Sequence, residues 1–238
     1  MSLTRDQKLQ EVQDEARRLD ELLHQEFKDD KTYSEQIKGG NLFAGQYYGE
    51  SDKMYISLNP GSTAGTPSFD VDLDDHDWYW GNVGQSWVND HAYHKYANVF
   101  FHADKRLESW MREGAFTCSF LMPWRTPKSD SLKENPELRR RVWDYSGRII
   151  RLMFEHCRPG FLIASGVTTL TWLQHPEYLD CLYAEEERLS LGRHHQCRKG
   201  WLRHGPYGDI RTFMVPHFSY SKSDPLLQEC ASWLSGKL

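Results

Sequence analysis

From about Thr4 to Phe27, Leu9, Val12, Ala16, Leu19, Leu22, Leu23 and Phe27 recur at helical spacing among charged residues. That pattern predicts one amphipathic helix whose single apolar stripe packs on a core. Gly39-Gly40 then breaks the chain, and Met54 to Leu58 reads as a short apolar strand that stops at Asn59-Pro60-Gly61. The stretch from Ser62 to Asn89 has no period and is rich in Gly, Asp and Trp, so it is expected to be a long loop. Long structureless loops in compact domains tend to be functional. A helix is expected near His94 to Met111, with Ala97, Phe100, Leu107 and Trp110 or Met111 inward. Ala115 to Met122 reads as a second strand, ended by Pro123-Trp124-Arg125-Thr126-Pro127.

The clearest helix start is Asn135-Pro136-Glu137, a cap residue followed by proline at the first helical position. The helix runs to about Cys157 with Leu138, Val142, Tyr145, Ile149, Met153 and Phe154 on one face, and Pro159-Gly160 stops it. Phe161 to Ala164 is apolar throughout, as a strand buried on both faces would be. Ser165-Gly166 turns into a short helix, Val167 to Leu173. Residues 175–208 are polar and rich in His, Arg and Gly, an excursion containing a hairpin or loop. Ile210 to Val215 is a further strand, and Asp224-Pro225 opens a last helix with Leu226, Leu227, Cys230 and Trp233 inward. Strands alternating with helices argue an α/β fold, a largely parallel sheet with helices on both faces. With no internal repeat and no linker, one domain is expected. Ligands of such sheets bind at the carboxyl ends of the strands. Asn59-Pro60-Gly61, Pro123-Trp124-Arg125 and Pro216-His217-Phe218-Ser219 all punctuate strand ends, which draws attention to that edge.

Composition narrows the class. A chain of 238 residues with nine tryptophans is long enough to bury a core without disulfide or metal staples. The five cysteines form no CxxC pair, which reads as reduced thiols in a cytoplasmic protein. The first residues carry no basic segment followed by an apolar one, so no signal peptide is expected. No apolar run approaches the roughly 18 residues of a membrane span. A net charge of −5 gives no general support for nucleic-acid binding, so such a partner needs a local basic face.

Ser57-Leu58-Asn59-Pro60-Gly61 at a strand end resembles the first motif of the uracil-DNA glycosylase superfamily, in the Asn-Pro-Gly form of its mismatch-specific branch. Val215-Pro216-His217-Phe218-Ser219 is similar to the second motif, a His-Pro-Ser segment after the last strand. The intervening Arg125-Thr126-Pro127, long helix, Arg158-Pro159-Gly160 turn and strand ending in Ser165-Gly166 follow the family's order, so the likeness covers roughly Lys53 to Trp233. The resemblance implies a three-layer αβα fold around a central, mostly parallel four-stranded sheet. It would be a single domain over 1–238, with an N-terminal helix (about 4–27) and an insertion (about 175–208).

It also implies a metal-independent glycosylase without cofactor, acting on a damaged or mismatched base in single- or double-stranded DNA. Breaking the bond from base to deoxyribose puts positive charge on the sugar and negative charge on the leaving base. A donor aimed at the base carbonyl stabilises that charge as an oxyanion hole does, and the neutral imidazole of His217 would supply it. Asn59 would hold the attacking water through an amide that both donates and accepts. Gly61 and Gly65 would let backbone approach the sugar closely, Phe69 would stack under the base, and Ser219 would complete the motif around it. Cys118 and Ser119 stand where the family reads the base edge with an Asn, so the base itself stays open. Arg125, Tyr220 and Lys222, with Arg193 and Arg198 of the locally basic stretch, would contact DNA, with the base flipped out of the stack.

Other readings have their own residues. The Asp70–Asp77 run has Asp75 and Gly81 where a calcium loop needs Gly and Glu, which leaves a solvated acidic loop. His194-His195-Gln196-Cys197 with His204 has no standard zinc-finger spacing. Trp78, Tyr79 and Trp80 would stack on bases or pin a loop to the core. Ser165-Gly166 lacks the nucleophile-elbow pattern of serine hydrolases. The alternative to an enzyme is a non-catalytic module of the same fold holding a nucleotide, nucleic acid or protein. Phe218 or Trp124 blocking the pocket would favour that module. The sequence leaves the oligomeric state undetermined.

Overall fold

The computed structural model describes residues 3–37, 39–41, 48–58, 69–70, 99–112, 116–126, 131–218 and 223–238. Helix α1 spans Arg5–Phe27 and opens on a capping box. The Gln7 N–H donates to the Thr4 hydroxyl, and the Thr4 N–H donates to the Gln7 side-chain oxygen. A short α2, Lys31–Gln36, follows. The long α4, Pro136–Cys157, starts as its sequence dictates: the Asn135 side chain accepts from the Leu138 N–H, and proline occupies the first turn. Arg158 ends it in the left-handed region at φ 47°. Leu9, Val12, Ala16, Leu19 and Leu23 of α1 share one buried cluster with Leu138, Val142, Ile149 and Met153 of α4. Ion pairs Arg148–Glu15 (2.8 Å) and Arg141–Glu26 (3.0 Å) rim that contact. Exposed pairs of this kind contribute at most about 1 kcal/mol each, so apolar burial holds the two helices together.

The strands are β1 (Gly40–Asn41), β2 (Lys53–Ser57), β3 (Phe69–Asp70), β4 (Thr117–Phe120), β5 (Phe161–Ser165), β6 (Leu182–Ser190), β7 (Gln196–Arg203) and β8 (Ile210–Val215). Strands β1 and β3 pair in parallel as a small separate sheet. The main sheet has six strands in the order β4-β2-β5-β8-β7-β6. Its first four strands run parallel and its last two antiparallel. Side chains alternate across it. Met54, Ile56, Leu162 and Ala164 face the core shared with α1 and α4. Tyr55, Ile163 and Phe213 face a second core with α3 (Lys105–Arg112) and α6 (Asp224–Ser235). Helices thus cover both faces, and α5 (Val167–Leu173) follows β5 directly.

The expectation of four strands is corrected. The four parallel strands are present, but the polar stretch at 175–208 is a hairpin that extends the sheet beyond β8. Strand β6 contains no fully buried residue, so it carries no hydrophobic pattern to read. The helix expected from His94 to Met111 is divided within its described part: residues 99–102 are helical, and α3 restarts at Lys105. Asp104 causes the break, its carboxylate accepting the N–H groups of Arg106 (2.9 Å) and Leu107 (3.1 Å) as an N-cap. Of the long loop expected over 62–89 only Phe69–Asp70 falls within the described residues. Gly65, Asp72, Asp74, Asp75, Asp77, Trp78, Tyr79 and Trp80 lie outside them.

Candidate functional site

The strand order fixes where a ligand cleft belongs. From β2 the chain crosses to β4 on one side, whereas from β5 it crosses to β8 on the other. The loops leaving β2 and β5 therefore diverge, and the crevice at such a switch point is where open α/β sheets bind ligands. A cleft of about 230 Å³ occupies that place. Leu58 beyond β2, Gly166, Val167 and Thr168 beyond β5, and Pro216 and His217 beyond β8 form one part of its wall. The hairpin supplies Arg193, His194 and Gln196.

His217 is held by a close fit. Gly166 has φ +88°, and a Cβ added to it would come within 3.0 Å of the His217 Cβ. The Gly166 N–H donates to the Val215 carbonyl at 2.8 Å, drawing the β5 turn against the end of β8. Only glycine supplies both that conformation and that clearance. Burial pushes the His217 imidazole down from 6.5 to about 4, so the ring is neutral at physiological pH. A neutral imidazole offers one N–H donor and one acceptor nitrogen. Phe218 turns away into the α3–α6 core, fully buried, with ring centroids 5.4 Å from Phe100 and 5.9 Å from Phe101. Trp124 is also fully buried, its indole donating to Asp20 at 2.8 Å. Neither aromatic ring fills the cleft.

Of the other residues singled out by the sequence, those that are described are spread over β4, the segment after it and the hairpin. Asn59, Gly61, Ser219, Tyr220 and Lys222 lie outside the described residues, as does the Phe69 side chain. Asn59 follows Leu58 in sequence, and Leu58 is on the cleft wall. Cys118 and Ser119 are buried on the edge strand β4, with β2 and β5 between them and β8. The Ser119 hydroxyl contacts the Phe120 carbonyl and the Met153 sulfur, and the Cys118 thiol is 3.9 Å from the Phe116 carbonyl oxygen, so both face inward. Arg125 follows β4 half-buried, its N–H donating to the Gly39 carbonyl at 2.8 Å. Arg193 is exposed at the hairpin tip, on the cleft wall. Arg198 lies two residues along β7 from Gln196, its guanidinium 3.6 Å from Glu185.

Gln196 and His194 entered the sequence reading only through the zinc alternative. The sheet explains why those neighbours do not form one ligand set. Gln196 is on the cleft side, whereas Cys197 is fully buried in the core with α6 on the opposite face. Among the described residues, no three His, Cys, Asp or Glu side chains converge as metal ligands would. No helix among them is long and apolar enough to cross a membrane. Comparison of the chain with protein-family models and with curated proteins returns no match, so its class rests on its own architecture: an α/β protein built on a six-stranded mixed sheet.

Proposed function

We propose that the cleft is the site of a metal-independent DNA glycosylase, which hydrolyses the N-glycosidic bond of a damaged or mismatched base, uracil among the candidates. The observation that carries this reading is a half-buried, neutral His217 on the wall of a switch-point cleft that Leu58 joins just before Asn59. In the reaction a water adds its oxygen to the sugar carbon as the carbon–nitrogen bond breaks, and its proton ends on the departing base. The imidazole N–H of His217 donates to the base oxygen on which negative charge accumulates, and Asn59 orients the water. A neutral donor suits this step, because it stabilises the charge without itself being titrated near pH 7. Phe69 stacks under the base, and Arg193 and Arg125 take phosphates of the DNA partner.

The test is a strand-cleavage assay on labelled oligonucleotides bearing uracil, hypoxanthine, xanthine or a G·T or G·U mismatch, single- and double-stranded, followed by alkali. Cleavage of one substrate, reduced at least 100-fold (on the order of 3 kcal/mol) by His217→Ala, is the expected result. Well-folded protein that cleaves none of them would favour a non-catalytic binding module. The inward-facing Cys118 and Ser119 already lend that second reading some weight, since they leave no base-reading amide on β4.

A further inference from the structure

The cleft has a carboxamide, but it comes from the hairpin rather than from β4. Arg198 pairs with Met214 across β7 and β8, so its side chain shares the sheet face of Met214, which is on the cleft wall. Gln196 stands two residues further toward the turn, on the same face. Its side-chain oxygen accepts from the Arg198 Nη2 at 3.3 Å. A guanidinium has only donors, so the atom facing it must be the oxygen, and the amide cannot be turned over. The amide nitrogen, with its two hydrogens, makes no hydrogen bond among the described residues, and Gln196 lines the cleft. Arg198 is itself anchored: its Nη1 lies 3.6 Å from Glu185, and Glu185 accepts two bonds of 2.9 Å from Arg188. An Arg188–Glu185–Arg198 chain along the hairpin therefore sets which way the Gln196 amide faces.

We infer that Gln196 is a specificity-determining residue whose donor-only face selects a ligand edge made of acceptors, and that Arg198 is its positioning residue. This rests on the reading of the cleft as a base pocket. A keto edge meets the two amide hydrogens with a lone pair. An amino edge sets donor against donor and leaves both groups unsatisfied in a confined site, a mismatch that costs roughly tenfold or more in affinity. Gln196→Glu is close to isosteric and reverses the polarity. One carboxylate oxygen keeps the Arg198 bond, and the other offers the cleft an acceptor.

The experiment measures binding of free uracil, cytosine, hypoxanthine and adenine by ligand-observed NMR to wild-type protein, Gln196→Glu, Gln196→Ala and Arg198→Met. Circular dichroism of each variant confirms its fold. Wild type is expected to favour uracil over cytosine and hypoxanthine over adenine by about tenfold. Gln196→Ala should erase the preference and Gln196→Glu should invert it toward the amino bases. Arg198→Met, which frees the amide to rotate, should shrink the preference while leaving uracil bound. A role confined to hairpin stability would move all four affinities together and would not invert any ratio. If wild type discriminates and both Gln196 variants keep its ratios, Gln196 is not the determinant, although the base pocket stands. If wild type binds no base, the base-pocket reading fails and this inference fails with it.

Discussion

His217 joins geometry to proton chemistry. Its folded pKa of about 4 lies below the ordinary 6.5, so the unfolded chain binds more protons than the folded one between those values. Stability carried by the neutral ring is complete above pH 6.5 and is lost as pH falls toward 4, on the order of 3 kcal/mol in all. Urea unfolding from pH 4 to 8 should show this slope below 6.5, and His217→Gln should flatten it. Equal slopes in the two proteins would mean that the ring is not desolvated. Gly166 is the complementary case. Gly166→Ala forces a side chain into φ +88° and against the His217 Cβ. The expected loss is about 1–3 kcal/mol, with the His217 ring signals displaced in NMR spectra. A variant as stable as wild type with unmoved His217 signals would refute the close fit.

Among the elements, those legible in the sequence are the ones whose pattern is local. Asn135-Pro136 caps α4 in the structure as in the sequence, and the six apolar positions read on its inner face are all buried. Strand β5 is apolar because both its faces are covered, and β8, buried at five of its six positions, with the proline-led α6 follows the same logic. His217 was legible because a strand end with polar punctuation marks the working edge of a parallel sheet. Gln196 was not, because its position depends on β7 pairing with β8, a contact no local period encodes. The hairpin also depends on Gly200, where an added Cβ would fall 2.2 Å from the Ala184 carbonyl oxygen on β6. Gly200→Val should therefore unzip β6 from β7 at a cost of about 2 kcal/mol or more. Hydrogen exchange should show β6 and β7 amides losing protection while those of β2 and β5 keep theirs. Uniform protection across the sheet would show that the strands accommodate the side chain.

Over the whole molecule, the two cores lie on opposite faces of one sheet, and the cleft opens at the edge where loops from both sides diverge. That arrangement explains why a chain of net charge −5 can still present local cations to a ligand. Arg193 sits at the hairpin tip beside the cleft and Arg198 lies behind it on β7, while many of the acids are on α1 and β6. A DNA partner would engage few phosphates under such a balance, so salt should weaken binding less steeply than for proteins that neutralise many.

The outermost strand has a different consequence. Strand β6 ends the sheet with nine residues, and beyond the Tyr183 N–H, which donates to the Gln174 side-chain oxygen at 3.0 Å, no further strand pairs with its outer side among the described residues. An edge of that length is a template for strand addition and fibre growth unless something repels the newcomer. Here Glu185, Glu186, Glu187 and Arg188 occupy its middle, and the pairing register shifts between Glu185 and Glu187. Two such edges brought together would set these glutamates against one another. Replacing all three glutamates by threonine should turn a dispersed protein into one that scatters light and binds amyloid dyes on mild warming. If the variant stays dispersed under those conditions, the charges are not what keeps neighbouring sheets apart.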